Sequence, residues 1–170
     1  MPTHVRRRAP GAAHVSRREI GRLGDDMLRR LELEAAELSV YLTSDAVIKR
    51  LNLAYRGKDR PTDVLAFPLD GAPRRRSAPA EPHLLGDIVI SLHAAKRQAD
   101  ARKRPLIEEL RLLLAHGLLH LLGYDHATLV QKRRMRAMTR QLVRAAALPE
   151  GTGELASRTK RPKPAGRRSG

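Results

Sequence analysis

With 170 residues, 41% of them hydrophobic and 31% charged, the chain is long enough and apolar enough to form one globular domain with a buried core. It has no cysteine, which excludes disulfides, thiolate metal sites and a cysteine nucleophile. A formal net charge of +16 favours a polyanionic partner such as RNA, and the lack of any long apolar run predicts a cytoplasmic protein with neither a secretory signal nor a membrane partner.

The first part of the chain predicts a loose start, then one helix and one strand. Residues 1–15 are basic and contain proline and glycine, and we expect them to be loose. Ser16 and Glu19 form the pattern of a capping box, and apolar residues follow at helical spacing, so a helix should begin there. Leucine and valine then alternate with polar residues over 37–44, which indicates a strand.

A second helix and a second strand follow. The helix should be capped by Ser44 or Asp45 and should end at Gly57. The segment "TDVLAFPL" predicts a short strand. Residues 71–82 contain proline, alanine and arginine without periodicity, and we expect a flexible surface insertion there.

The second half of the chain contains the strongest strand pattern and the longest apolar helix. The segment "LLGDIVISL" predicts a strand, and Ser91 near its end can cap the helix that follows. A helix from Leu106 to Leu122 is apolar nearly all round, so it should be buried. A last helix is expected over 127–147.

These elements predict an α+β fold, in which a single domain packs a small mixed β-sheet against several helices and the long apolar helix is buried. The domain that carries the chemistry should cover residues 16–147. Residues 148–170 consist largely of glycine, proline and basic residues, which predicts a disordered basic tail.

The long helix ends in "HGLLHLLGYDH", which places three histidines in an otherwise apolar stretch. His116 and His120 lie one helical turn apart on one face, and Gly123 permits a sharp reversal that can bring His126 back to them. Because an unpartnered buried imidazole costs about 1–3 kcal/mol, a shared metal ion explains all three better than a core role does. Three imidazoles leave one tetrahedral position of a zinc ion open, as catalytic zinc sites do.

The same offsets, with a glycine at the same place, occur in HExxHxxGxxH zinc peptidases. Those enzymes use the glutamate of the motif as general base. Here Gly117 stands at that position and cannot take up a proton, so the pattern retains the metal geometry and disfavours peptidase chemistry.

Four segments in order resemble the YbeY family of metal-dependent endoribonucleases. One is the histidine motif at 116–126, and the others are "LNLAYRGKDRPTDVLAFP" at 51–68, "LGDIVISLHAAKRQA" at 85–99 and "EELRLLLAHG" at 108–117. Together the resemblance covers residues 36 to 145.

The resemblance implies an enzyme that cleaves single-stranded RNA in the maturation of the 16S rRNA 3′ end and in ribosome quality control. It implies one Zn²⁺ per chain, bound by His116, His120 and His126, with Arg56 and His116 as catalytic residues. The implied partners are an rRNA precursor and the ribosome or its small subunit, without specificity for DNA. Ala66 stands where the family usually has serine, so no hydroxyl is expected to act there.

Three charged residues near the motifs have two interpretations each. Arg56 is either a phosphate clamp or part of a solvated basic turn, and the resemblance favours the clamp. Asp63 either orients a group near the site or completes a turn. Asp125 either holds a ligand histidine or caps the turn beside His126.

Two classes of function stay open at this point, an endoribonuclease and a non-catalytic RNA- or ribosome-binding protein whose zinc is structural. A metallopeptidase is a weaker third. The sequence offers no clear general base, so the nucleophile is either a hydroxide on the metal or the 2′-OH of the substrate. The oligomeric state is equally open.

Overall fold

The computed structural model describes residues 3–69 and 83–145. The four strands of this part of the chain are β1 (Thr3–Arg8), β2 (Ala36–Thr43), β3 (Val64–Pro68) and β4 (His83–Ser91). Its five helices are α1 (Arg17–Arg30), α2 (Asp45–Arg56), α3 (Leu92–Ala101), α4 (Leu106–Leu121) and α5 (Leu129–Ala145). The insertion expected at 71–82 and the tail expected at 148–170 lie outside the described residues.

The strands form one mixed sheet in the order β1-β2-β4-β3. Strands β1, β2 and β4 are parallel neighbours, and β3 pairs antiparallel with β4 at the far edge. Parallel neighbours need a crossover connection, which α1 supplies between β1 and β2. The predicted α+β class with a small mixed sheet is confirmed. Within the two described ranges, no helix combines the length and the apolar character needed to cross a membrane.

The N-terminus contains a strand, which corrects the prediction that residues 1–15 are loose. Thr3–Arg8 pairs in parallel with Leu38–Thr43, so the backbone of this basic segment is held by the sheet. The sequence pattern did not predict this because Val5 is the one strongly apolar side chain of the strand. An edge strand tolerates charged side chains on its open face, and its pairing depends on backbone hydrogen bonds.

The main core lies between the sheet and the long helix α4. Along β2, Leu38, Val40 and Leu42 are fully buried, as the alternation of the sequence predicts. Nine of the sixteen residues of α4 are buried, which confirms the prediction of a buried helix. A smaller cluster joins Ile48 of α2 to Leu65 of β3.

Serine caps determine where three of the helices begin. The Ser16 hydroxyl caps α1, Ser44 caps α2 and Ser91 caps α3, each by accepting a hydrogen bond from a backbone N–H in the first turn. The alternative left open for α2 is thereby settled in favour of Ser44. Gly57 ends α2 in the left-handed conformation, with a φ of 66°, as predicted.

Helix α4 approaches β4 at Gly117 more closely than a side chain would allow. A Cβ atom at this position would lie 2.8 Å from Cγ2 of Ile88 and 3.3 Å from its Cγ1 and Cδ1. Carbon atoms in favourable contact are about 3.5–4.0 Å apart. Any side chain at position 117 therefore forces either the histidine-bearing helix or the Ile88 side chain to shift.

We predict that Gly117→Ala lowers the melting temperature by several degrees, because overpacking a core costs about 1–3 kcal/mol. Thermal unfolding followed by circular dichroism measures the loss. In an Ile88→Ala background, which removes the obstructing methyl group, Gly117→Ala should have little effect, since the two positions are in contact. An equal loss in both backgrounds would contradict the packing argument.

Candidate metal centre

The chain reverses at a glycine directly after α4. Gly123 adopts a φ of 87°, which glycine reaches without strain. Its backbone N–H donates to the carbonyl of His120 at 3.0 Å and closes the last helical turn. The reversal carries His126 back toward the helix, as the sequence predicts.

The rings of His116, His120 and His126 lie together, so the structure gathers the three predicted ligands. The ring centroids are 4.7 Å apart for His116 and His120, 5.2 Å for His120 and His126, and 6.3 Å for His116 and His126. The two Nε2 atoms on the helix are 3.1 Å apart. Two nitrogens bound to one tetrahedral zinc ion are about 3.3 Å apart. The helical pair is therefore spaced to share an ion, and the same distance also suits an N–H···N hydrogen bond between the rings.

The third histidine differs from the other two in its exposure. Within residues 3–69 and 83–145, no three histidine, aspartate or glutamate side chains are arranged as a completed metal site. The side chain of His126 is 57% exposed on the turn, whereas His116 and His120 are partly buried on α4. Coordination of one ion by all three rings therefore requires the side chains to rearrange.

Burial keeps the two helical imidazoles neutral. Desolvation lowers the pKa of His116, and the nearby Asp63 carboxylate opposes this shift. Desolvation, followed by the two other imidazoles and the Arg56 guanidinium, lowers the pKa of His120 to about 4. A metal ion binds the neutral form of imidazole, so both rings are in the ligating state at neutral pH.

The histidines border a cavity of about 190 Å³ that Arg56 also lines. Arg56 is the exposed last residue of α2, and its charge contributes to the low pKa of His120. The two predicted catalytic residues, Arg56 and His116, therefore face one space. Lys58 and Arg60 are exposed beyond the helix end and are not among the described residues that line it.

Asp63 is the acidic residue among the described side chains that line this cavity. Its Oδ2 accepts a hydrogen bond from the Gln98 side chain at 3.0 Å, and its Oδ1 accepts one from the backbone N–H of Val64 at 2.8 Å. Its backbone carbonyl accepts a hydrogen bond from the N–H of Ser91 at 2.9 Å. Asp63 thus forms a turn and also faces the site. Sequence reasoning did not single out Gln98: it lies in the quoted segment 85–99, but its contact with a residue 35 positions away is not visible in a local pattern.

Asp125 stabilises the turn and does not hold the ring of His126. Its Oδ1 accepts a hydrogen bond from the backbone N–H of His126 at 2.7 Å. The same oxygen is 3.8 Å from the ring Nδ1, which is beyond hydrogen-bond distance. Of the two interpretations of Asp125, the contacts support the one in which it caps the turn beside His126.

Two small residues complete the wall of the cavity. Gly117 lines it, and the contact with Ile88 leaves no room for the glutamate that zinc peptidases carry at this position of their motif. Ala66 also lines it, so no hydroxyl acts from that point of β3.

Known proteins resemble this chain over most of its length. The family model described as Endoribonuclease YbeY matches residues 12–147. The Endoribonuclease YbeY of Persephonella marina is 43% identical over 116 residues, which span 68% of this chain and 73% of that protein. The one from Anaeromyxobacter dehalogenans is 43% identical over 150 residues, spanning 85% and 74%. The solution structure of a Thermotoga maritima protein superposes with a TM-score of 0.57 at 25% identity, covering 84% of this chain and 89% of that one.

The matched region contains every segment on which the sequence resemblance is based, from 51–68 through the histidine motif at 116–126. The resemblance is therefore confirmed over a longer stretch than the motifs alone cover. The chain belongs to the YbeY family.

Proposed function

We propose that this protein is a zinc-dependent endoribonuclease that cleaves single-stranded RNA. The observation that carries the proposal is the cavity shared by His116, His120, His126 and Arg56. Relatives that are named Endoribonuclease YbeY and are 43% identical support RNA as the substrate. The histidines, Arg56 and Asp63 that line the cavity then each have a physical role in cutting a phosphodiester.

His116, His120 and His126 would hold the zinc ion. Three nitrogen donors suit zinc and leave one tetrahedral position open, and the lowered pKa values of His116 and His120 keep these two donors unprotonated. When bound, zinc supplies Lewis-acid stabilisation of the charge that develops on a phosphoryl oxygen.

Arg56 would bind the same phosphate from its place in the lining of this cavity. A guanidinium pairs with two phosphate oxygens through parallel hydrogen bonds and keeps its charge at any physiological pH. Its exposed position at the end of α2 leaves it accessible to a long polymer. Donors aimed at developing negative charge are among the largest contributors to catalysis.

Asp63 provides a fixed hydrogen-bond acceptor in this cavity. Because Gln98 and the N–H of Val64 each bind one of its oxygens, the carboxylate cannot rotate freely. We assign to it the orientation of the attacking hydroxyl, whether this belongs to water or to the 2′ position of the substrate.

The biological substrate that we propose is precursor rRNA, with cleavage at the 3′ end of 16S rRNA and a role in ribosome quality control in the cytoplasm. The support is the family resemblance of four ordered segments, together with a net charge of +16 that suits a ribosomal partner. The ribosome or its small subunit is the partner that this role requires.

A metallopeptidase is the weaker candidate for this site. Its general base would have to stand at position 117, where a Cβ atom would lie only 2.8 Å from Ile88, so a glutamate side chain has no room there. Cleavage of an RNA oligonucleotide and of a casein substrate under identical conditions separates the two activities.

The first prediction of this proposal concerns the metal. Protein purified without chelators should contain about one zinc ion per chain, measured by atomic emission, because three imidazoles are a ligand set that catalytic zinc sites use. Alanine at any one of positions His116, His120 or His126 should lower that content. Full zinc occupancy in the triple alanine variant would refute the ligand assignment.

Cleavage should depend on the same metal. His120→Ala should lose zinc and RNA cleavage together, and wild-type protein treated with a chelator should regain cleavage when zinc is restored. The assay uses a labelled single-stranded RNA with a duplex of the same sequence for comparison. Cleavage that persists at the wild-type rate in zinc-free His120→Ala would overturn the proposed mechanism.

Arg56→Ala should slow RNA cleavage by about tenfold or more, the effect of losing one donor to developing charge. The melting temperature should change by only a few degrees, as is usual for an exposed residue. Lys58→Ala is the matched control, since it removes one exposed positive charge from the same turn without touching the cavity. Equal rates for the two variants would mean that Arg56 belongs to a solvated turn.

A further inference from the structure

A second and larger cavity of about 470 Å³ lies beside the metal centre. Asp63, Val64, His116 and His126 line both cavities, so the two spaces adjoin at the histidines. The larger one extends away from Arg56 between α4 and α5. Its volume lies within the range of about 300–1,000 Å³ that is usual for sites of small organic ligands.

Part of the floor of this second cavity is apolar. Leu113 and Met135 are buried there, with Leu112 and Val64 half-buried beside them. The Thr139 hydroxyl, which also lines it, donates to the carbonyl of Met135 at 2.8 Å and so offers no free donor. A flat apolar group fits such a floor better than a charged one does.

The rim of the cavity is basic along one helix. Helix α5 carries six basic and no acidic residues, and all six side chains are exposed. Lys132, Arg136 and Arg140 line the cavity at intervals of four residues. This spacing places them on one side of the helix at a rise of about 6 Å each. We refer to these three residues as the α5 cation row.

The positive charge of the α5 cation row is uncompensated within the described part of the chain. No described residue forms an ion pair with any of the six α5 cations. The fully buried Glu109 at the cavity is instead bound by Arg102 at 2.7 Å, with Arg104 at 3.6 Å. The other acidic lining residue, Asp63, is held by Gln98.

We infer that the second cavity is a nucleotide subsite for the RNA strand that is cut at the metal centre. An unpaired base rests on the apolar floor, and the phosphates that flank it lie on the α5 cation row. This inference rests on the proposed function, and it adds a reason for single-strand preference. A base can enter the cavity only when it is unstacked and unpaired, which a duplex does not provide without melting.

Two matched triple variants of the zinc-loaded protein test the phosphate contacts. The row variant replaces the three residues of the α5 cation row: Lys132→Gln/Arg136→Gln/Arg140→Gln. The control variant removes three charges of the same helix that do not line the cavity: Arg133→Gln/Arg134→Gln/Arg144→Gln. Fluorescence anisotropy with a short labelled single-stranded RNA is measured over a salt series. Because each phosphate neutralised on a single strand contributes about 0.7 to the salt slope, the first variant should lose about 2 units of slope and at least tenfold in affinity at low salt.

The control variant should lose less than half as much as the row variant, both in salt slope and in affinity at low salt. Equal losses in the two variants would mean that the helix attracts RNA by its general charge, and the subsite would be refuted. Melting temperatures of both variants show whether either loss comes from unfolding.

A base scan tests the apolar floor. An abasic nucleotide is moved along the same RNA one position at a time, and one position should weaken binding to the wild type several-fold more than its neighbours. Uniform affinity at every position would overturn the base contact.

The subsite and the proposed function can fail separately. Suppose that binding depends on the α5 cation row and on one base position, but that the zinc-loaded wild type does not cleave RNA. The catalytic proposal then fails and the subsite stands. If the wild type cleaves and the row variant cleaves with an unchanged KM, the subsite is wrong and the enzyme assignment stands.

Discussion

The close contact of α4 with β4 is the constraint on which the rest of the site depends. Gly117 lets the helix axis approach Ile88 to a distance that no side chain permits. The helix is buried along this side, and His116 and His120, which are close to the glycine in sequence, are partly buried with it. Burial in turn lowers the pKa values of both rings. The glycine thus permits the close packing of the helix on which these two partly buried imidazoles lie.

A chain of polar contacts links the remaining elements to this centre. The Ser91 hydroxyl caps α3 by accepting the N–H of Ala94 at 3.1 Å and donates to Asp45 at 2.6 Å, which ties the start of α2 to α3. Arg97 donates to the other oxygen of Asp45 and lowers the pKa of that carboxyl. The backbone of Ser91 also fixes Asp63. Helix α3 therefore positions the carboxylate of the cavity, and it anchors the helix that ends at Arg56.

Local patterns predicted most of the fold and the histidines, and long-range contacts account for what they missed. The alternation along β2 and the serine before α3 act through neighbours in sequence, so the sequence shows them directly. The same holds for the turn at Gly123, which needs only a residue that can adopt the left-handed backbone conformation. By contrast, Thr3–Arg8 becomes a strand through its pairing with β2, 35 residues away. For Asp63 the sequence left two roles open, and it did not show the partner Gln98, which lies on a separate helix.

The charge of α5 opposes the stability of its own helix. Lys132 and Arg133 lie near the N-terminal end, where the helix dipole disfavours positive charge. Lys132, Arg136 and Arg140 repeat like charges at intervals of four, and each such pair destabilises an isolated helix by about 0.2–0.5 kcal/mol. Packing through Met135 and Leu142, both 3% exposed, holds the helix in place despite this repulsion. No described residue neutralises these cations, so a bound polyanion would relieve the repulsion. Binding at the second cavity would then stabilise α5.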